Sequence, residues 1–429
     1  MHEERCSDKA DRVYSVINRY LGMIIEVMDK NIEGVDGYVE LLQHLYPRSS
    51  REGLLELLSI HTALQILVNV VVGMYVAGDR DIDSICYGHG LERYGVLAYP
   101  LLWWRSGRGG DDLFIRICGD IAQEAKMISA ADIAFGNIFD RIYSRLVGRG
   151  NRYYVGEYYT PPWVARVAVE RASIYSGGLI NKIFADPACG SGVFLVQALR
   201  VKTLMGEDPL KAFQSIWGID VNPIAVIISR TRILTAFKIL SGIDPKEAPR
   251  IFHADFIGTL TGYMDALYSV EGSIALPPIE DQGRAWNLGK GLPRTDIIAT
   301  NPPWLELNEL PRSPWGEHVR RYVRDNIVKG CRDRIPGLSK YAWKGDLSAV
   351  FLDLSLGIVG RGGVVGILLP ANQSYSGSPS PHGAGKLLTL AVIRRWRASG
   401  EILYIGDVFG HGVSASLAIF KRNSDLPGC

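Results

Sequence analysis

FADPACGSGVF, residues 184–194, is the stretch on which the reading of the chain turns. The apolar run LINKIFA leads into Asp186, two glycines follow, and an apolar pattern at helical spacing then runs through SGVFLVQALRVKTLMG. That is a strand, a tight turn and a helix. Gly190 and Gly192 carry no Cβ, so the backbone there can approach a ligand closely, and the helix start offers free N–H groups. A dinucleotide fold uses the same physics, but the stretch does not spell G-x-G-x-x-G. An acid before the turn suits a cation, such as the amino group of a methionine moiety, better than a pyrophosphate. A plain strand-to-helix turn would account for the same residues.

Outward from this turn the pattern alternates strand and helix. SIWGI is a second strand ending at Asp220, and Asn222 with Pro223 then caps a helix through AVIISRTRILTAFKIL that stops at Gly242. RIFHA and TDIIAT are the third and fourth strands. DLSAVFLDLSLGIV and KLLTLAVIRRWRAS are helices around the strand GGVVGILLP, and EILYIGDVF and SASLAIFKR close the chain as two strands joined by a glycine turn. This order predicts an α/β fold: a doubly wound, mostly parallel sheet, Rossmann-like, with a terminal antiparallel strand. Ligands of such sheets sit at the C-terminal strand ends, where Asp186, Asp220, Asp255 and Asn301 fall. Residues 257–294 and 305–345 read as irregular.

The first 147 residues carry helical patterns and little strand signal, so we expect a helical N-terminal domain over 1–147. A second domain then spans 148–423, with a short tail over 424–429. The Gly-, Tyr- and Pro-rich stretch 148–162 marks the boundary. Within the helical part, IHTALQILVNVVVGMYVA (60–77) has the length and apolarity of a membrane span. His61, Gln65, Asn69 and Gly73 recur every fourth residue as one polar stripe, which predicts a buried core helix and no membrane partner.

Composition is that of an ordinary globular protein: 429 residues, 47% hydrophobic, 21% charged, net charge +2. That balance excludes a nucleic-acid coat or tail protein while allowing a local basic face. Six cysteines stand singly with no C-x-x-C pair, so neither a metal site nor a disulfide framework is expected. An intracellular, cytoplasmic protein with reduced thiols fits, and MHEERCSDKADR lacks the apolar core of a signal peptide.

NPPW (301–304) continues the fourth strand with an amide, two rigid residues and an aromatic plate, read from the sequence as exposed. Asp220 at its strand end can accept the two hydroxyls of a ribose, though a solvated acid beside a helix cap reads the same way. HADF (253–256) repeats the pattern: Asp255 can accept from an adenine amino group while Phe256 packs on the ring. Together the three acids outline a nucleoside slot.

These residues resemble, in order from about 137 to 421, the gamma class of S-adenosylmethionine-dependent adenine-N6 DNA methyltransferases of restriction–modification systems, as in Type I and Type IIG methylase domains. GEYYTPP is similar to the family's motif X, DPACGSG to motif I, GIDVNP and HADF to motifs II and III, and NPPW to motif IV. GDLSAVFLDLSLGIVGRGGVVGILLP resembles motifs V and VI, and GDVFGHGVSASLAIF motif VIII. The resemblance implies that Tyr159, Thr160 and Pro161 line the methionine end of the cofactor S-adenosylmethionine. Asp186, Ala188, Gly190 and Gly192 would hold its amino acid part, Asp220 the ribose, and Asp255 with Phe256 the adenine. Asn301, Pro302, Pro303 and Trp304 would form the catalytic clamp on the target base, and Phe409 would pack against that base. Cys189 reads as packing.

Trp304 stands where tyrosine or phenylalanine is commoner. The resemblance also implies a target-recognition domain after motif VIII, where this chain stops, and the gap between HADF and NPPW is too short to hold one. Double-stranded DNA is then the expected partner, with a separate specificity subunit supplying recognition. HVRRYVRD (318–325), KGCRDR (329–334) and VIRRWR (392–397) are basic; solvated helix faces explain them, and so would phosphate contacts beside the NPPW loop. Three other readings stay open: methylation of a protein glutamine amide, a nuclease fusion hinted at by Glu124-Ala125-Lys126, and a truncated, non-catalytic relic.

Overall fold

The computed structural model describes residues 2–29, 36–46, 49–106, 111–147, 159–263, 292–374, 386–409, 412 and 414–429. Outside them lie the boundary stretch 148–158 with the first residues of GEYYTPP, much of the 257–294 stretch, and Gly410, His411 and Val413 of the turn near the C-terminus. Among the described residues seven strands make one sheet: β1 Phe184–Asp186, β2 Ile216–Asp220, β3 Ile251–His253, β4 Thr295–Thr300, β5 Val359–Pro370, β6 Ser399–Gly406 and β7 Ala415–Lys421. Their spatial order is β3-β2-β1-β4-β5-β7-β6. The first five pair in parallel and β7 runs antiparallel between β5 and β6, as the strand–helix alternation predicts. The order reverses at β1 and β4, so their C-terminal ends open the crevice of a doubly wound sheet.

Both faces of the sheet are buried, and the strands sort their residues by alternation. Phe184, Ile297 and Val364 face one core; Ala185, Ile298 and Val365 face the other. The first core takes helices Pro162–Ser176, Val193–Leu204 and Pro223–Ser241, and it continues without a break into the N-terminal helices. The second takes Leu347–Ile358, Lys386–Arg395 and the segment after NPPW. The Pro223–Ser241 helix begins and ends where its caps predict. The Asn222 side chain accepts from the Ile224 N–H at 3.1 Å, Pro223 takes the first position, and Gly242 closes it at φ 72°.

The apolar N-terminal helix runs through Arg51–Val71 and winds on to Ala77, with 94% of its most apolar window buried inside the fold. Gln65 and Asn69 of its polar stripe are satisfied internally. Gln65 donates to the Val96 carbonyl at 2.9 Å and accepts from the Ala98 N–H at 2.9 Å, and Asn69 donates to the Cys86 carbonyl at 3.1 Å. His61 meets the Tyr38 hydroxyl at 2.9 Å, and burial pushes its pKa down to about 3. At Gly73 a Cβ would stand 2.7 Å from Ile85. These contacts are those of a core helix, as the stripe predicts.

Two expectations are corrected. Cys331 and Cys429 form a disulfide with their Cα atoms 5.1 Å apart, across 98 residues of sequence, where isolated, reduced thiols were expected. Wide spacing hides a pairing that only the fold brings together. The stretch 305–345 is also largely helical. Ser313 accepts from the Gly316 N–H, Pro314 starts a helix to Tyr322, and helical turns continue to Cys331. Short amphipathic turns broken by Gly and Pro carry too little periodicity to stand out.

Replacing Gln65 with leucine keeps the apolar bulk but strands the Ala98 N–H and the Val96 carbonyl. We expect a loss of about 2–4 kcal/mol in chemical denaturation with an unchanged slope; a loss under about 0.5 kcal/mol would show that the stripe contributes nothing to stability.

Candidate active site

The parallel order β3-β2-β1-β4 aligns four functional residues along one edge of the sheet. Asp186 ends β1, Asp220 ends β2, Asp255 follows β3 after one residue, and Asn301 follows β4. Between β1 and its helix, Gly190 and Gly192 adopt φ 50° and 83°, a region that L side chains rarely enter. A Cβ on Gly192 would lie 2.3 Å from the Ser229 Oγ, whereas at Gly190 it would meet open space. Gly192 thus permits close packing of the turn, and Gly190 keeps its outer side clear.

Asp186 is fully buried. Its Oδ1 accepts from the Ala188 N–H at 3.2 Å, and its Oδ2 has no hydrogen-bond partner among the described residues. Burial, reinforced by the nearby Asp220 charge, pushes its pKa up to about 7. An ionisable oxygen left unpaired in the interior is costly and points to a missing cationic or donor partner. Asp220 is held differently: Oδ2 accepts from the Gly190 N–H at 2.8 Å and Oδ1 from the Asn222 N–H at 2.8 Å. Burial pushes it up to about 6 against those two bonds.

Asp255 is also engaged. It caps the helix Phe256–Thr261 through the Ile257 N–H at 3.0 Å and accepts from the Trp315 indole at 2.8 Å. Burial raises its pKa. Phe256 does not take the place expected of it. It is 1% exposed and stacks on Phe351 in the second core, with ring centroids 5.3 Å apart. As the first residue of a helix whose apolar face packs inward, it presents no ring to the crevice.

Asn301 reaches across to motif X: its Nδ2 donates to the Thr160 Oγ1 at 3.2 Å. A cleft of about 250 Å³ lies between them, lined by Tyr159, Thr160, the turn Ala188–Ser191, the start of the following helix and Asn301. Pro161 stands just before the helix Pro162–Ser176 and does not line it. Pro302 is buried behind Asn301 and Pro303 is half-buried. Trp304 is not the exposed plate expected. It is 9% exposed, donates to the Leu368 carbonyl at 3.4 Å, and meets Phe409 edge to face at 5.1 Å. The two aromatics expected to flank a base touch each other. Cys189 is buried with its thiol pushed well above its ordinary pKa by that burial, which suits packing and disfavours a thiolate.

The sequence reading missed the layer behind this cleft. Arg232, 1% exposed, donates to the Ser191 carbonyl at 3.1 Å and to its hydroxyl at 2.6 Å. The same guanidinium reaches the Gly136 carbonyl at 2.8 Å and pairs with Asp140 at 3.7 Å. Tyr143 receives the Asn222 amide at 3.1 Å and lies edge to face with Tyr159 at 5.6 Å. The two arginines interrupting the apolar run AVIISRTRILTAF were the available signal. Trp315 offered none.

The fold and this crevice define the class: a doubly wound sheet whose site lies at its switch point. Comparison with known proteins then adds what the chain is similar to. Residues 131–311 match the family model described as N-6 DNA Methylase. Among curated proteins, the Type II methyltransferase M.VspI of Vibrio sp. (strain 343) is 24% identical over 228 residues, covering 53% of this chain and 40% of that protein. The Type I restriction enzyme MjaIX methylase subunit of Methanocaldococcus jannaschii is 29% identical over 113 residues, 24% of this chain and 19% of that one. The matches thus cover less than half the length of these relatives. Two solved structures share the fold over 99% of the chain. The DrdV–DNA complex has TM-score 0.65, 14% identity and 42% of that chain covered; the ATP-dependent Type ISP enzyme LlaBIII bound to DNA has TM-score 0.61, 13% identity and 29% covered. Over residues 131–311 the chain is thus similar to the N-6 DNA methylase family, and the relatives it matches are named as restriction–modification methyltransferases.

Asp186→Asn keeps an acceptor for the Ala188 N–H and removes the buried charge. Because the folded-state pKa lies above the unfolded one, ionised Asp186 destabilises the fold progressively from about pH 4 to about pH 7 and fully above it. The variant should therefore melt several degrees above the parent at pH 8, with the advantage falling by roughly half or more at pH 5. An equal difference at both pH values would remove the buried-charge account.

Proposed function

We propose that the chain transfers a methyl group from S-adenosylmethionine to the exocyclic amino group of adenine in DNA, inside the cell and as part of a restriction–modification system. The observation that carries this reading is the meeting of Asn301 with Thr160 over the Ala188–Ser191 turn, next to a buried carboxylate with one unpaired oxygen. When bound, S-adenosylmethionine supplies an electrophilic methyl group on a sulfonium. The residues present fit it: Asp186 offers the unpaired oxygen to an ammonium, and the open face of Gly190 admits close backbone approach. Asp220 keeps a lone pair on each oxygen for ribose hydroxyls beyond the two N–H groups it holds. Asp255, already joined to Trp315, would accept from the adenine amino group through its remaining lone pairs, and Phe256 is left out of the site.

The amine of the target adenine is a poor nucleophile because its lone pair delocalises into the ring. The side-chain oxygen of Asn301 and the backbone carbonyl of Pro302 would accept its two hydrogens and tip the nitrogen toward tetrahedral geometry. Proline holds that carbonyl rigidly, so fixed dipoles and positioning carry the catalysis. A base must leave the duplex to reach this place, and the edge-to-face pair Trp304–Phe409 must part to admit it. A planar glutamine amide would satisfy the same acceptors; the match of residues 131–311 to the N-6 DNA Methylase model favours DNA. Sequence recognition we assign to a separate specificity subunit, in keeping with a methylase subunit among the relatives.

Asn301→Ala should lower the transfer rate by about 100-fold or more while cofactor affinity stays within about twofold, since the amide oxygen is assigned to the target amine and the amide meets the cofactor side only through its bond to Thr160. Labelled methyl transfer to plasmid DNA and to protein, with calorimetry of cofactor binding, measures both. Label in protein alone would overturn the DNA reading, and lost cofactor affinity would overturn the role of Asn301.

With Asp186 titrating at about 7 in the free protein, an ammonium group binds its ionised form. Cofactor affinity should fall roughly tenfold from pH 8 to pH 6, and Asp186→Asn should bind weakly with a flat profile. Affinity independent of pH in the parent chain would take Asp186 out of the ammonium site.

A further inference from the structure

We propose that the excursion 307–345 is the surface on which the phosphodiester backbone of duplex DNA docks beside the methylation cleft. This rests on the methyl-transfer reading for its choice of partner, but the observations behind it are separate.

Charge is the first. The chain balances 47 basic against 45 acidic residues, yet residues 307–345 hold nine basic residues (Arg312, Arg320, Arg321, Arg324, Lys329, Arg332, Arg334, Lys340, Lys344) and four acidic ones (Glu309, Glu317, Asp325, Asp333). Glu317, Asp325 and Asp333 pair with Arg320, Arg324 and Arg332, the last two through exposed neighbouring side chains where an ion pair is worth little. Arg312, Arg321, Lys329, Arg334 and Lys344 are exposed and have no ion-pair partner among the described residues.

Placement is the second. The excursion leaves and returns at the clamp. Glu306, two residues beyond Trp304, bridges to Asp346; Leu307 donates to the Gly345 carbonyl at 2.9 Å, and Leu347 to the Leu305 carbonyl at 2.8 Å.

Rigidity is the third. Val319, Val323, Ile327, Ile335 and Leu338 enter the second core. Trp315 donates to Asp255 at 2.8 Å, Tyr322 to Asp353 at 2.7 Å, and His318 meets Thr261 at 2.7 Å. The apolar side of the excursion is therefore fixed to the fold and its cations are turned outward. An unneutralised cationic face held beside a site that takes a flipped base matches a polyanion flanking that base. Phosphate contacts position a duplex without reading its sequence.

The test compares the 429-residue chain with R321E/K329E/R334E and with a control triple, R51E/K211E/K246E, that reverses exposed charges elsewhere. Binding to a mixed-sequence 20-base-pair duplex is followed by fluorescence anisotropy across a salt series, with melting temperature and cofactor affinity measured alongside. The expected result is a Kd raised about 30-fold or more at about 0.1 M salt for the first triple. Its slope of log affinity against log salt should also fall by about 2–3, with melting temperature and cofactor affinity unchanged and the control within about threefold of the parent. Equal losses in both triples, no loss in either, or a parent chain that fails to bind the duplex would each overturn the proposal. So would equally tight, patch-dependent binding of poly-L-glutamate, which would make the face a protein-docking surface. A parent chain that binds DNA through this face but transfers no methyl group to adenine would overturn the methyl-transfer reading and leave the docking surface standing.

Discussion

The hydrogen bond from the Gly190 backbone to the Asp220 carboxylate, 2.8 Å long, joins the turn after β1 to the end of β2, and the geometry of the crevice depends on it. Parallel pairing sets the two strand ends side by side, with Asp186 opposite Gly218 in register. That neighbour has to be glycine, because a Cβ at 218 would stand 2.8 Å from Leu195 and 3.0 Å from the Cys189 Cβ. The turn can thus lie flat on β2, present Gly190 outward and leave Asp186 beneath it. Burial pushes both carboxylates upward, and the Asp220 charge adds to the cost of ionising Asp186. A fold tolerates such an arrangement when something else stabilises the residues around it.

Support comes from the N-terminal helices, which do more than precede the sheet. Arg232 bonds Ser191 of the glycine turn while holding the Gly136 carbonyl and Asp140, and Arg230 donates to the carbonyls of Gly95 and Ile251. Lys238 reaches the Val76 carbonyl at 2.8 Å. A guanidinium buried this way is expensive unless each N–H is matched, and the matching acceptors come from chain segments a hundred residues away. Removing the helical part would take the Gly95 carbonyl from Arg230, the Gly136 carbonyl and Asp140 from Arg232 and the Val76 carbonyl from Lys238, and so loosen the prop beneath the turn. The stability of the cleft and the packing of the helical part are one problem.

Much of this was legible in the sequence wherever local rules decide the structure. The strand–glycine–helix order around Asp186, the Asn222-Pro223 start and Gly242 stop of one helix, and the polar stripe of another were all readable, because caps, turns and periodicity act over a few residues. What escaped was decided at long range. Phe256 looked free to stack on a ligand, but capping by Asp255 turns it into the core against Phe351, 95 residues on. Trp304 looked exposed because its covers, the Leu368 carbonyl of β5 and Phe409 just after β6, arrive from later in the chain. The Cys331–Cys429 pairing and the helical character of 305–345 belong to the same class: contacts that no local pattern announces.

The contact between Trp304 and Phe409 bears on how such a site keeps its specificity. Edge-to-face aromatic pairs are worth about 0.5–1.5 kcal/mol beyond the area they bury, and both rings would exchange that contact for a base. A closed pair therefore sets a threshold: an occupant must offer each ring a face at least as favourable as the other ring does. A planar, polarisable base meets that condition, and a small amine does not. On the reading proposed above, Asn301 and Pro302 would then be generic acceptors of two hydrogens, with discrimination by shape left to the aromatic pair. Which base in which sequence is presented remains a matter for surfaces outside the cleft, since nothing in an amide, two prolines and an indole reads the neighbours of the base they hold.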